Sequence, residues 1–203
     1  MSRQTHLFPA QVLKRLSSGA SRNDILGKLI AARGYDALLI AGSDTTSNSM
    51  AVTLHFIATN PRVYTKLMGL LLEASSGQNE MSYEQAKNVP YLQATINEGL
   101  RLHSTTAIGL HRSAPPGGLT ELSVPAWTIG HDSELWGDPD VFLPERWLEG
   151  KESRQYLLAF GKGPRACIGQ NLAYIEMISV LATILLRYKV EVRSQELQTT
   201  ALP

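Results

Sequence analysis

The chain has 203 residues with 43% hydrophobic and 18% charged side chains, a globular balance that excludes a disordered or collagen-like polymer. Its formal net charge of +1 gives no electrostatic case for binding nucleic acid. The single cysteine, Cys167, excludes an internal disulfide and a cysteine-rich zinc or iron–sulfur site.

Helices are predicted for most of the first half of the chain. One or two fall within residues 1–30, and a long apolar helix is predicted over residues 35–59. The polar segment 42–48 interrupts that helix, and such a violation of local helix preference often marks a functional site. The next helix is predicted to begin at Asn60 and Pro61, with Asn60 as its N-cap.

The second half is predicted to mix helices with short strands. Ser82 and Gln85 form a capping box, and a longer helix is predicted over residues 91–103. Loose alternation over residues 119–129 predicts short strands, and residues 168–188 are predicted to form the last helix. All the tryptophans are expected in the core: Trp127, Trp136 and Trp147.

Residues 160–169 carry a pattern typical of a metal ligand. The segment matches F-x-x-G-x-R-x-C-x-G, which arises by chance on the order of once in 10⁴ chains of this length. Cysteine binds metals as the thiolate, and Cys167 precedes a predicted helix whose N-terminal dipole stabilises negative charge. For a lone cysteine considered without the pattern, an inert buried thiol is the ordinary alternative.

This segment resembles the haem-binding loop of the cytochrome P450 superfamily. The resemblance implies that Cys167 is the fifth ligand of the haem iron and that Arg165 pairs with a haem propionate. It also implies that Phe160 packs on the porphyrin, and that Gly163 and Gly169 let the backbone pass close to it. Thiolate ligation favours O–O cleavage.

A second motif lies upstream of the cysteine. Glu98 and Arg101 are three residues apart on a predicted helix, where they can pair, although such a pair is ordinarily solvated. Residues 144–147, Pro-Glu-Arg-Trp, look like the P-E-R-F segment of the family. The resemblance implies that Glu98, Arg101 and Arg146 form a structural ion-pair triad.

A third motif, residues 41–46, resembles the A-G-x-D-T-T signature of the P450 distal helix. It implies that Asp44 and Thr45 are catalytic, with Thr45 donating a hydrogen bond where oxygen binds and Asp44 relaying protons. The alternative is a helix kink in which the hydroxyls bond back to the backbone. Arg112 occupies a position where many P450s place a second propionate-binding arginine, and a surface arginine is an equal alternative.

The resemblance covers about residues 38–193, and segments 116–118, 123–127 and 136–139 look like P450s of filamentous fungi, including benzoate-hydroxylase-like and secondary-metabolite enzymes. It implies a mainly α fold: the C-terminal portion of the P450 fold, with a long distal helix, an E-x-x-R helix, a haem-thiolate loop, a final helix and minor β structure. Residues 1–203 are then a single partial P450 domain that lacks the usual N-terminal half.

The implied function is a haem-thiolate monooxygenase. Such an enzyme inserts one oxygen atom from O2 into a small apolar or aromatic substrate, here in secondary metabolism. Its cofactor is haem b, and its electrons come from NADPH through NADPH–cytochrome P450 reductase. The alternative is a truncated, non-catalytic fragment that binds haem weakly or not at all, because an open haem site leaks protons and reactive oxygen. A third alternative is a helical interaction module without haem, which would require all three motifs to have arisen in this order by chance.

The family is membrane-associated, in the endoplasmic reticulum. In this sequence the most apolar stretch, residues 173–188, is interrupted by Glu176 and Arg187 and is shorter than the ~20 apolar residues of a membrane span. No signal peptide is recognisable either. The sequence therefore predicts no anchor, and a cytosolic location for the chain by itself.

Overall fold

The structure, a computed structural model, describes residues 35–113, 121–148 and 152–192. The helices predicted within residues 1–30 and the fungal-type segment 116–118 lie outside these ranges. All statements below concern the described residues.

The chain divides into two compact units, Met1–Ala41 and Gly42–Pro203. In the first unit the described residues, 35–41, form the start of a helix. The second unit carries the other elements. The assignment of residues 1–203 to one partial domain stays a prediction.

Helices dominate the described residues, and the predicted mainly α fold with minor β structure is confirmed. The helices are α1 (Tyr35–Thr59), α2 (Pro61–Ala74), α3 (Tyr83–Ala86), α4 (Pro90–Leu102), α5 (Ala126–Gly130), α6 (Ser133–Trp136) and α7 (Gln170–Arg187). Three 3₁₀ turns span Pro144–Trp147, Glu152–Tyr156 and Gly163–Arg165. Strands β1 (Arg112–Ser113) and β2 (Glu121–Leu122) pair antiparallel, with Arg112 opposite Leu122. No helix within the described ranges is long and apolar enough to cross a membrane.

Local capping chemistry explains two of the helix boundaries. The predicted capping box is present: Ser82 Oγ accepts the Gln85 N–H at 3.3 Å, and Gln85 Oε1 accepts the Ser82 N–H at 2.9 Å. Asn60 precedes α2 as predicted, but its side chain makes no capping hydrogen bond there. Its amide instead donates to the carbonyl of Phe56 at 2.7 Å, so it stabilises the end of α1.

The core lies where α7 packs against α2, α3 and α4. Its fully buried members come from these helices and from the end of α1: Ile57, Val63, Leu67, Leu71, Leu92, Ile96, Met177, Ile178, Leu181 and Leu185. Trp136 and Trp147 form a smaller cluster with Ala94, as predicted. Trp127 is 54% exposed, so its placement in the core was wrong; its ring stacks on His131 at the surface, 4.4 Å between centroids.

Helices α1 and α4 approach closely at Gly99, which faces Thr53. A Cβ added to Gly99 would meet Thr53 Oγ1 and lie 3.2 Å from Thr53 Cβ. Both residues are buried. The glycine therefore sets how closely the long helix can lie against the helix that carries Glu98.

Substituting Gly99→Ala should lower the free energy of unfolding by about 1–3 kcal/mol, because the new methyl group overpacks this contact. Urea denaturation of the purified chain measures it. Gly69→Ala is the matched control: it makes the same change in an exposed helix position with nothing within 4 Å, and should stabilise by up to about 1 kcal/mol. Adding Thr53→Ala to Gly99→Ala should recover part of the lost free energy of unfolding, because it makes room for the new methyl group. Equal losses in Gly99→Ala and in the double variant would contradict overpacking as the cause.

Candidate functional site

Cys167 lies in a short loop between the Gly163–Arg165 turn and the start of α7. Backbone hydrogen bonds close the loop: the Cys167 N–H donates to the carbonyl of Phe160 at 2.8 Å, and the Ala166 N–H donates to that of Gly163 at 3.0 Å. Gly163 has a φ of 74°, in the left-handed region that glycine adopts without a steric penalty. The motif spacing therefore produces a tight loop, with the thiol exposed on its surface.

The surroundings of the thiol fit a haem. Arg165 is exposed and has no ion-pair or hydrogen-bond partner among the described residues. Ile168, next to the cysteine, is 90% exposed, and a Cβ on Gly169 would lie 3.8 Å from Cys167 Sγ. A soft thiolate donor, a guanidinium without a partner and an apolar surface match the iron, the carboxylates and the ring of an iron porphyrin.

Two other predicted cofactor-binding residues lie near partners of their own. Phe160 is half-buried, and its ring packs on that of Tyr174 with 5.3 Å between centroids. Arg112 is exposed on β1, and its guanidinium donates to the carbonyl of the adjacent His111 at 2.9 Å. Its role as a second propionate ligand stays a prediction.

The predicted catalytic residues Asp44 and Thr45 are both exposed on α1. The helix continues through the polar segment 42–48, which therefore interrupts its apolar pattern and not the helix itself. Ser49 Oγ donates to the carbonyl of Thr45 at 2.8 Å, and Ser47 Oγ donates to that of Asp44 at 3.3 Å. These two hydroxyls lie after the motif, so they do not decide for the alternative, and the oxygen-site roles of Asp44 and Thr45 stay predictions.

Glu98, Arg101 and Arg146 meet in one buried cluster. Arg101 binds Glu98 with two hydrogen bonds, Nε to Oε2 at 2.9 Å and Nη2 to Oε1 at 2.8 Å. Arg146 Nε donates to Oε1 at 3.0 Å. The Glu98 and Arg101 side chains are 0% exposed, so this is not the solvated pair that the spacing alone would suggest. A two-point contact of this kind fixes the orientation of both side chains.

Two further donors bind Glu98 that the sequence analysis missed. Trp147 Nε1 donates to Oε2 at 2.8 Å, and the backbone N–H of Leu143 donates to Oε1 at 3.0 Å. Tryptophan stands here where the family segment has phenylalanine. That difference was a usable signal, because a buried indole N–H needs an acceptor. The backbone donor left no signal in the sequence.

The two arginines also hold the irregular segment that follows α5. Arg101 Nη1 donates to the carbonyl of Gly130, and Arg146 Nη1 donates to that of Trp136 at 2.6 Å. The Arg101 guanidinium lies over the Trp136 ring, 5.1 Å from its centroid. The charged cluster therefore fixes the backbone of residues 130–147 against α4.

Glu145 precedes Arg146 in the Pro144–Trp147 turn and forms a second ionic contact, with side chains of α2. Its carboxylate accepts hydrogen bonds from Arg62 at 2.7 Å, Lys66 at 2.9 Å and the Tyr91 hydroxyl at 3.0 Å. Burial alone would raise the pKa of Glu145, but the hydrogen bonds, with that of Arg62 the largest, outweigh it and hold the pKa at about 2. Glu145 is therefore ionised at neutral pH and ties its turn to α2.

Comparison with known proteins identifies the family. The sequence model of the family Cytochrome P450 matches residues 31–202. The chain is 38% identical to a pisatin demethylase of Fusarium vanettenii over 75% of its own length, and 35% identical to a benzoate 4-monooxygenase of Aspergillus niger over 91%. The chain belongs to the cytochrome P450 family, and membership implies a haem cofactor. It resembles fungal P450s, as the sequence analysis expected.

A solved cytochrome P450 structure shares the fold, with a TM-score of 0.69 and 28% identity over 80% of this chain. The chain covers 40% of that structure, 32% of the pisatin demethylase and 39% of the benzoate 4-monooxygenase. It therefore spans about a third to two fifths of the length of these relatives.

Substituting Trp147→Phe should lower the free energy of unfolding by about 1.5–3 kcal/mol, because it removes a hydrogen bond to a buried charge while keeping an aromatic ring. Chemical denaturation measures the change. Trp127→Phe is the matched control, since that indole is more than half exposed and its N–H makes no hydrogen bond to any of the described residues. Equal effects at the two positions would contradict a special role for the indole N–H of Trp147.

The lowered pKa of Glu145 predicts that the free energy of unfolding depends on pH. Its pKa is lowered from 4.5 in the folded chain, so its ionised form stabilises the fold above pH 4.5, and this contribution disappears as the pH falls toward 2. The difference in free energy of unfolding between wild type and Glu145→Gln should be constant from pH 7 to 5 and shrink below pH 4.5. Glu73→Gln, an exposed carboxylate on α2, is the control. A difference that does not change between pH 7 and pH 3 would contradict the ionic assignment.

Proposed function

We propose that this chain carries the haem-thiolate centre of a monooxygenase that inserts one oxygen atom from O2 into a small apolar or aromatic substrate. One observation carries the proposal: the exposed Cys167 thiol is held in a closed loop just before α7, two residues after an Arg165 that has no ion-pair partner among the described residues. Membership of the P450 family supports the same chemistry.

The residues have distinct parts in this proposal. Cys167 would bind the iron of haem b as a thiolate, Arg165 would pair with a propionate, and Phe160, Gly163 and Gly169 would shape the surface that contacts the ring. Arg112 is a candidate for a second propionate. Haem ligated by thiolate supplies the cleavage of the O–O bond.

In this proposal, α1 supplies the residues that deliver protons. Asp44 and Thr45 are adjacent and exposed, so Asp44 would relay protons from water and the Thr45 hydroxyl would donate a hydrogen bond at the oxygen site. Glu98, Arg101 and Arg146 do no chemistry in this proposal. Their buried cluster holds α4 and the segment before the Cys167 loop.

Relatives support the substrate class and the electron source. The similar proteins include a benzoate 4-monooxygenase, whose name denotes an aromatic substrate, and several fungal P450 monooxygenases. We infer electrons from NADPH through NADPH–cytochrome P450 reductase, a role in secondary metabolism, and an endoplasmic reticulum membrane location for the enzyme.

A second candidate is a non-catalytic chain that binds haem weakly or not at all. The exposure of apolar side chains favours it: Ile168 is 90% exposed and Ile108 is 85% exposed. A haem on such a surface would meet water, which promotes loss of reactive oxygen over substrate oxidation.

The decisive experiment is haem reconstitution followed by reduction and addition of carbon monoxide. Wild type should give the strongly red-shifted Soret band of thiolate ligation, and Cys167→Ser should lose it, because the hydroxyl is a poor ligand for ferrous iron. Ala166→Ser is the matched control, since it places the same hydroxyl at the adjacent exposed position and should keep the band. A red-shifted band in Cys167→Ser, or its absence in wild type, would overturn the proposed ligand.

Turnover then separates the two candidates. NADPH oxidation coupled to a hydroxylated product from benzoate, in the presence of the reductase, supports the monooxygenase. Peroxide release without product from haem-loaded protein supports the non-catalytic candidate.

A further inference from the structure

Tyr174 links the helix that follows Cys167 to the helix that carries Glu98. Its hydroxyl donates a hydrogen bond of 2.7 Å to Asn97 Oδ1, between α7 and α4. Asn97 is 8% exposed and immediately precedes Glu98. The bond therefore joins α7 to the part of α4 that adjoins the Glu98 cluster.

The same side chain supports the base of the Cys167 loop. The Tyr174 ring packs on Phe160 with a centroid separation of 5.3 Å and an interplanar angle of 41°. The carbonyl of Phe160 accepts the Cys167 N–H at 2.8 Å. A continuous set of contacts thus runs from Asn97 through Tyr174 and Phe160 to the backbone of the cysteine.

The loop itself has few other restraints. Residues 161–168 are all exposed, and the side-chain hydrogen bond recorded for them joins Lys162 Nζ to the carbonyl of Arg154 at 3.3 Å. An exposed loop closed by backbone hydrogen bonds opens locally at little free-energy cost unless its ends are fixed. Phe160 is one such end, and Tyr174 is the side chain that packs beneath it.

The hydroxyl of Tyr174 is a dependable donor. Burial raises the pKa of Tyr174 to about 12, although the nearby charge of Arg154 opposes this rise. The side chain therefore stays protonated at neutral pH and keeps its hydrogen bond to Asn97.

We propose that Tyr174 is a positioning residue for the Cys167 loop: its bond to Asn97 fixes the ring that holds Phe160, and Phe160 holds the cysteine backbone. Its value for iron ligation rests on the proposed function, but the positioning itself is a property of the chain without cofactor. The hydroxyl, rather than the ring alone, is what distinguishes this position from an ordinary core aromatic.

Tyr174→Phe tests the hydroxyl while keeping the ring. In the chain without haem, amide hydrogen exchange of residues 160–169 should become roughly fivefold faster, the effect of losing one ordinary hydrogen bond on a local opening. Exchange of a peptide covering residues 63–71, in the α2 part of the core, should not change. Tyr64→Phe is the matched control: Tyr64 packs against the same core, and its hydroxyl makes no hydrogen bond to any of the described residues. Unchanged exchange of the loop in Tyr174→Phe would overturn the proposal.

A double-mutant cycle with Asn97→Ala identifies the partner. If the hydrogen bond carries the effect, Tyr174→Phe should accelerate loop exchange in wild type and have little further effect in Asn97→Ala. Additive effects would overturn the route through Asn97.

A spectroscopic measurement connects positioning to ligation. In the haem-loaded, carbon monoxide-bound protein, Tyr174→Phe should increase the share of the unshifted Soret band relative to Tyr64→Phe, and equal shares would overturn the link to iron ligation. Failure of wild type to take up haem would instead refute the proposed function, and the exchange experiment on the chain without haem would still decide the role of Tyr174.

Discussion

The complete burial of the Glu98 carboxylate is the constraint on which the rest of this structure depends. Removing a carboxylate from water costs several kcal/mol unless charged and hydrogen-bonding partners replace the solvent. Five hydrogen bonds from the described residues reach its two oxygens, three to Oε1 and two to Oε2. Two of these hydrogen bonds to Oε1 and one to Oε2 come from guanidinium groups, so positive charge lies against the carboxylate in place of water. Because these donors come from α4 and from residues 143–147, the burial is possible only if the two segments meet in one arrangement.

The same cluster explains how a segment with little regular structure can be ordered. Between residues 130 and 147 the backbone forms short helices and turns, whose carbonyls need donors from elsewhere. The arginines that neutralise Glu98 supply them, at Gly130, Trp136 and Asp138. Glu145 leaves the turn in another direction and binds Arg62 and Lys66 of α2. One 3₁₀ turn thus uses neighbouring side chains to fix itself to α4 and to α2.

The sequence predicted what is encoded locally or by short motifs and missed what depends on distant contacts. The bounds of α1, the Ser82–Gln85 capping box and the mainly α fold follow from periodicity and capping, which act within a few residues. The hydrogen bond between Trp147 and Glu98 joins residues that are 49 apart in sequence. The Asn60 side chain donates to a carbonyl of α1 instead of capping α2. The prediction for Trp127 was wrong because hydrophobicity alone favours burial, whereas the fold places its ring beside His131 at the surface.

The buried Glu98 cluster and the exposed Cys167 thiol differ in their access to solvent, and the backbone determines both. A carboxylate that is fully buried with all its hydrogen-bond partners inside the protein is out of reach of ligands, so Glu98 is suited to holding structure. Cys167 has the reverse character, since its loop leaves the thiol at the surface and keeps its own backbone bonds internal. The proposed role of Cys167 as a ligand requires its backbone to be held from within the protein, and Phe160, Tyr174 and Asn97 connect that backbone to α7 and α4. Because Asn97 and Glu98 are consecutive on α4, the rigidity that Glu98 gives this helix is available directly at the point where Tyr174 binds it.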